Sequence, residues 1–154
     1  MTEHTGPTGQ RIVVGVDGST SSREALRWAV RQAELTGGRV EAIMAWQSPT
    51  LVGLGGSFFE VEVGRDDARI RDAARRVLRD AVAEATEASP GVSVKAEIGE
   101  GSAAQLLLDA ALGAGLVVVG SRGYGGITGA LLGSVGHALA QHSPCPVVII
   151  RGIG

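Results

Sequence analysis

Lysine is almost absent from this chain: Lys95 stands alone, and arginine supplies the other basic residues. The formal net charge is −2, so no general electrostatic pull draws the chain to nucleic acid. Aromatic residues make up only 3%, which leaves a core to be packed from Val, Leu, Ile and Ala. A single cysteine, Cys145, excludes an internal disulfide and a cysteine-based metal cluster. Set between Pro144 and Pro146 at the head of an apolar run, it is expected as a small core residue. No apolar stretch reaches the roughly 18 residues of a membrane span. The opening MTEHTGPTGQ has neither the basic nor the apolar region of a signal peptide. A cytoplasmic protein with no membrane partner is therefore expected, with residues 1–10 as a disordered tail and 11–151 as one domain.

Glycine is what the chain has in quantity. There are 24 glycines and 5 prolines, together below the roughly 25–30% that marks a disordered chain. Seven of the glycines crowd into GSRGYGGITGALLGSVG, from Gly120 to Gly136. Glycine loses more conformational entropy on folding than any other residue, so such a run needs a reason. It is either a flexible linker or a loop that lets main chain close around a ligand.

The surrounding pattern helps to decide. RIVVGVD (Arg11–Asp17) reads as a short buried strand. The helix that follows has Leu26, Ala29, Val30 and Ala33 at helical spacing; Ser21 and Glu24 fit a capping box and Gly37-Gly38 a stop. RVEAIMAW (Arg39–Trp46) is a second strand, and Gln47–Gly64 fits no period and reads as a long surface loop. A helix is expected from about Asp66 to Ala88, burying Ile70, Ala74, Val77, Ala81 and Ala85. VSVKAEI alternates as an edge strand should, with a helix near Ser102–Leu112 after it. GLVVVGS is apolar throughout, suited to the centre of a sheet. The glycine loop, a helix over Ser134–His142 and a last strand, PVVIIR, complete the chain.

Strands alternating with helices imply an α/β fold with a single, doubly wound parallel sheet and helices on both faces. An apolar fourth strand in the middle and an alternating third at an edge suit the strand order 3-2-1-4-5. In such sheets ligands bind beyond the carboxyl ends of the strands, where the order reverses. Here that place lies between the first strand, ending at Asp17, and the fourth, ending at Gly120. The glycine loop begins there, and Gly133-Ser134 falls at the start of the next helix, whose N–H groups and dipole suit a phosphate. Ser134 is a helix cap, a phosphate donor, or both. Gly120 and Gly123 would let main-chain N–H groups approach an anion. Arg122, the cationic side chain of the loop, serves phosphate charge or solubility.

Known phosphate motifs are tested readily. A Walker A loop needs a lysine that is missing, and a dinucleotide fingerprint begun at Gly123 meets Thr128 where Gly or Ala is wanted. What fits is Gly120-x2-Gly123-x9-Gly133-Ser134. This resembles the nucleotide motif G-x2-G-x9-G-[S/T] of the universal stress protein family, in its ATP-binding branch. VVGVDGS is similar to that family's opening V-x-V-D-x-S, with Asp17 and Ser19 in place, and HSPCPVVIIR to its closing segment.

The resemblance implies ATP held across the crevice. Gly120, Gly123, Gly133, Ser134 and Val135 match positions that contact ribose and phosphates. Asp17 matches the acidic position near the ribose or the metal, where a carboxylate suits a hydroxyl or a Mg2+-bound water. Gly15 would keep the floor of the site low, and Ile43 matches the apolar position beside adenine. Cyclic AMP in place of ATP is a variant of the same reading. The family commonly dimerises through its last strand, which implies a homodimer through Pro146–Arg151 that covers an otherwise exposed apolar edge. His4, His137 and His142 form no nucleophile–base–orienter arrangement visible in sequence, and His137 is expected at the surface. A nucleotide-dependent regulator of stress adaptation, acting on a protein partner yet to be found, is thus expected. Slow ATP hydrolysis or autophosphorylation is compatible with it. An ATP- or adenylyl-consuming enzyme and a dimeric interaction module without nucleotide remain the alternatives.

Overall fold

The computed structural model describes residues 10–48, 60–122 and 132–152. Five strands form one parallel sheet: β1 (Arg11–Gly15), β2 (Arg39–Trp46), β3 (Val94–Glu100), β4 (Leu116–Gly120) and β5 (Val147–Ile150). Their order is β3-β2-β1-β4-β5, as the sequence predicts. Four helices connect them: α1 (Thr20–Thr36), α2 (Glu60–Ala85), α3 (Ala103–Ala111) and α4 (Ser134–His142).

The pleat divides the apolar residues between two cores. Ile12, Val14 and Val118 pack with α1 and α2 on one face. Val13, Val117 and Val119 pack with α3 and α4 on the other. Strands β1 and β4 lie side by side, with Ile12 opposite Leu116 and Val14 opposite Val118, so both faces of each are covered. That is why their sequences are apolar without alternation. At the far edge, Val94 and Ile98 of β3 lean on the α2 side, whereas Lys95 and Glu97 pair with each other in solvent at 3.2 Å. Cys145 is partly buried against the α3–α4 core.

The start of α1 corrects an expectation. Ser21 and Glu24 do not form a capping box. Ser19 is the N-cap, its side chain accepting from the Ser22 N–H, and Glu24 instead pairs with Arg27 at 2.6 Å. The cause is the preceding turn. Gly18 has φ 86°, and the Ser19 N–H donates to Asp17 Oδ1 at 2.9 Å, which presents Ser19 in the extended conformation that a cap requires. Gly37, at φ 74°, ends the helix as predicted.

Helix α2 begins at Glu60, earlier than the sequence pattern implies, so the expected loop 47–64 is helical at its end; residues 49–59 lie outside the described residues. The buried stripe of α2 is also rotated. Leu78 is 2% exposed beside Ala74 and Ala81, while Val77 is 38% exposed. Both stripes obey the i, i+3, i+4 rule, and the sheet surface selects one. Arg27 of α1 meets Glu84 of α2 at 2.8 Å along the seam between the helices.

Candidate functional site

The cleft begins where β1 and β4 end. The Gly15–Asp17 segment forms one wall, and Val119, Gly120 and Arg122 form the other. Leu107 of α3 closes the floor, and Gly133–Gly136 at the start of α4 close the far side. The space enclosed and open to solvent is about 490 Å³.

Two glycines are required by packing. A Cβ on Gly15 would stand 2.7 Å from a Leu107 methyl and 3.2 Å from a Val119 methyl. Gly15 therefore keeps the floor low. A Cβ on Gly120 would stand 2.7 Å from the main-chain carbon of Ser21. The first turn of α1 thus presses directly onto the end of β4, a reason for glycine that the sequence reading did not contain.

The ends of the glycine loop are tied. Ser121 donates its N–H to the Ile150 carbonyl and accepts the Gly133 N–H, each at 2.8 Å. Gly133 is the N-cap of α4, at φ −72° and ψ 170°, and brings no side-chain cap. Ser134 is consequently the first helical residue, not the cap that its type suggested, and its side chain is exposed. The first intrahelical bond runs from the His137 N–H to the Gly133 carbonyl at 2.9 Å. The positive end of the α4 dipole therefore opens on the cleft, with the exposed Arg122 on the opposite rim.

Asp17 lies at the junction of two concavities. It lines this cleft and also a more open groove between α1 and α2, with Gly18, Arg23 and Met44. Its main-chain N–H donates to Ser22 Oγ at 3.2 Å while its Oδ1 accepts from Ser19. The turn thus holds the carboxylate in place. Ser22 itself lines the cleft.

Seven of the predicted residues therefore come together: Gly15, Asp17, Gly120, Arg122, Gly133, Ser134 and Val135. Ile43 does not line this cleft. It is buried in the α3–α4 core, and its carbonyl accepts the Val16 N–H at 2.9 Å, which braces the wall from behind. Gly123 lies outside the described residues, as does His4. Val16, Ala103, Leu107, Val119 and Gly136 also line the cleft and contribute shape without a chemical signature, and Ser22, whose hydroxyl accepts the Asp17 N–H, is not marked as a site residue by any sequence motif. His137 and His142 are exposed on α4. Among the described residues, no three His, Cys, Asp or Glu side chains are grouped to hold a metal, and no helix is long and apolar enough to cross a membrane. The cleft thus brings the start of a helix together with one carboxylate and one guanidinium at its rim.

The universal stress protein family model matches residues 9–151. A universal stress protein of Mycolicibacterium smegmatis is 34% identical over 145 residues, covering 92% of this chain and 48% of that protein. This chain thus spans about half the length of that relative. Universal stress protein YxiE of Bacillus subtilis, 34% identical over 150 residues, is matched over 98% of its own length and 92% of this chain. Among solved structures, a universal stress protein in complex with cAMP superposes with a TM-score of 0.67 at 26% identity, covering 93% of this chain and 97% of that one. From residue 9 to residue 151, the chain belongs to the universal stress protein family.

Proposed function

We propose that this protein binds ATP with Mg2+ across the β1–β4 cleft and works as a nucleotide-dependent regulator of stress adaptation. The observation that carries the reading is the start of α4, which has no side-chain cap and where Gly133, Ser134 and Val135 meet Gly120 and Arg122 around one cleft. Main-chain N–H groups at a helix N-terminus suit phosphate oxygens, and a glycine cap leaves room for them. The Ser134 hydroxyl and the Arg122 guanidinium would add one donor and one positive charge. Asp17 would receive a ribose hydroxyl or a Mg2+-bound water, and Mg2+ when bound would offset phosphate charge. Gly123 would serve the phosphates, whereas Ile43, buried behind the wall, would act only by bracing Val16.

Cyclic AMP is the second reading, favoured by the cAMP complex of the solved relative. The described site residues form no catalytic constellation, and regulation fits them better than rapid turnover; slow hydrolysis or autophosphorylation is compatible. A homodimer through Pro146–Arg151 belongs to the same proposal, since β5 is a sheet edge. The cytoplasm is the proposed location. Calorimetric titration with MgATP and, separately, with cAMP tests the reading. Saturable binding of MgATP in preference to cAMP is expected. Preference for cAMP would move the assignment to the cyclic nucleotide, and binding of neither would leave a protein-interaction module.

A further inference from the structure

Ser21 has no reason to be a serine if it only supports a helix. Ser19 already caps α1, and Ser21 is only 7% exposed. A buried hydroxyl costs free energy unless it is hydrogen-bonded. Its partner lies 101 positions away: Ser21 Oγ donates to the Arg122 carbonyl at 2.7 Å. The Arg122 N–H faces the same oxygen at 3.5 Å, too far to add much.

Two chain segments, one leaving β4 and one leaving β5, meet at this side chain. Gly120 ends β4 against the Ser21 main chain. Gly152 follows β5, and a Cβ there would stand 2.9 Å from the Ser21 Cβ. Arg122 opens the glycine loop. Neighbouring Ser121 is bonded to Ile150 and to Gly133, so its own peptide is held by β5 and α4. The Arg122 carbonyl is the next link outward, and Ser21 holds it. Ser21 does not line the cleft, whereas Arg122, Gly133 and Ser134 do. The adjacent Ser22 accepts the Asp17 N–H on the opposite wall. Consecutive serines in one helical turn thus fix both sides of the crevice.

We infer that Ser21 is a positioning residue for the nucleotide site, holding the mouth of the glycine loop at the distance from α4 that a bound phosphate requires. This rests on the nucleotide reading above. Two measurements on Ser21→Ala separate it from that reading. Amide exchange in the nucleotide-free protein should rise roughly three- to tenfold at Gly133, the loss of one hydrogen bond expressed as a rate. Amides of Leu26 and Val30 in α1 should stay protected, which shows that the variant is folded. Calorimetry with MgATP and with cAMP should then show affinity for the bound nucleotide lowered by a similar roughly three- to tenfold factor. Unchanged exchange at Gly133 overturns the inference whatever the nucleotide result. So does faster exchange with parental affinity. If the parent binds neither nucleotide while exchange rises, the nucleotide reading fails and with it the positioning role, leaving Ser21 as a tether of the loop alone.

Discussion

The Gly133 amide donates to the Ser121 carbonyl at 2.8 Å, which closes the base of the glycine loop and delivers Gly133 as the N-cap of α4. Gly133→Asp should separate fold from function at this point. The backbone there already suits a side-chain cap, so the substitution should stabilise the protein by a few tenths of a kcal/mol in urea unfolding. The new carboxylate would occupy the proposed phosphate position, and MgATP affinity should fall at least about tenfold. Stabilisation with affinity intact would remove the phosphate from α4.

Asp17 offers a second test. Asn at this position keeps an acceptor for the Ser19 N–H but removes the charge. Asp17→Asn should therefore change thermal stability little, whereas Asp17→Ala should cost about 1 kcal/mol through the lost turn. If Asp17 serves Mg2+, the Asn variant should weaken binding of ATP more with magnesium than without it. Equal losses with and without magnesium would assign Asp17 to the ribose.

Stability and binding should come apart in the other direction at Arg11. Its guanidinium bonds Glu41 at 2.7 Å and the carbonyls of Ala110 and Leu112 at 3.0 and 2.9 Å, tying the beginning of β1 to β2 and to the end of α3. Arg11→Met keeps the aliphatic stem and loses all three bonds. It should cost roughly 2–3 kcal/mol in denaturant unfolding. MgATP affinity should be unchanged, because Arg11 sits at the opposite end of the sheet from the cleft. A weakened affinity would mean that the two ends of β1 are coupled.

The β5 edge predicts a mass. Pro146 and Ile150 turn their carbonyls to β4, so the intervening Val147 and Ile149 present main-chain groups outward. Sedimentation equilibrium should give twice the 15.7 kDa of one chain. A mass of one chain at high protein concentration would show the edge to be uncovered.

Much of this was readable from residue order. Strand order followed from which strands are apolar on both faces, as Val117–Val119 are, and which alternate, as Val94–Ile98 do. The place of the candidate cleft followed from the switch point, at the ends of β1 and β4, since strand order follows from the apolar pattern. The buried stripe of α2 was not readable, because Val77 and Leu78 satisfy the same periodicity. Nor was the cap of α1, where three serines compete and a turn at Asp17-Gly18 decides among them.

By itself, then, the amino-acid order determined the alternation of strands and helices, their stacking order and the crevice at which chemistry could occur. Those features depend on hydrophobic period and turn chemistry, which neighbouring residues express. Only the tertiary structure decided that Gly120 must be glycine because α1 lies against it, that Ser134 begins a helix it does not cap, and that Ser21 reaches Arg122. The contacts of Ser21 with Gly120 and Arg122 join positions about a hundred residues apart. No local pattern encodes them, because they exist only once the sheet has brought its carboxyl ends together.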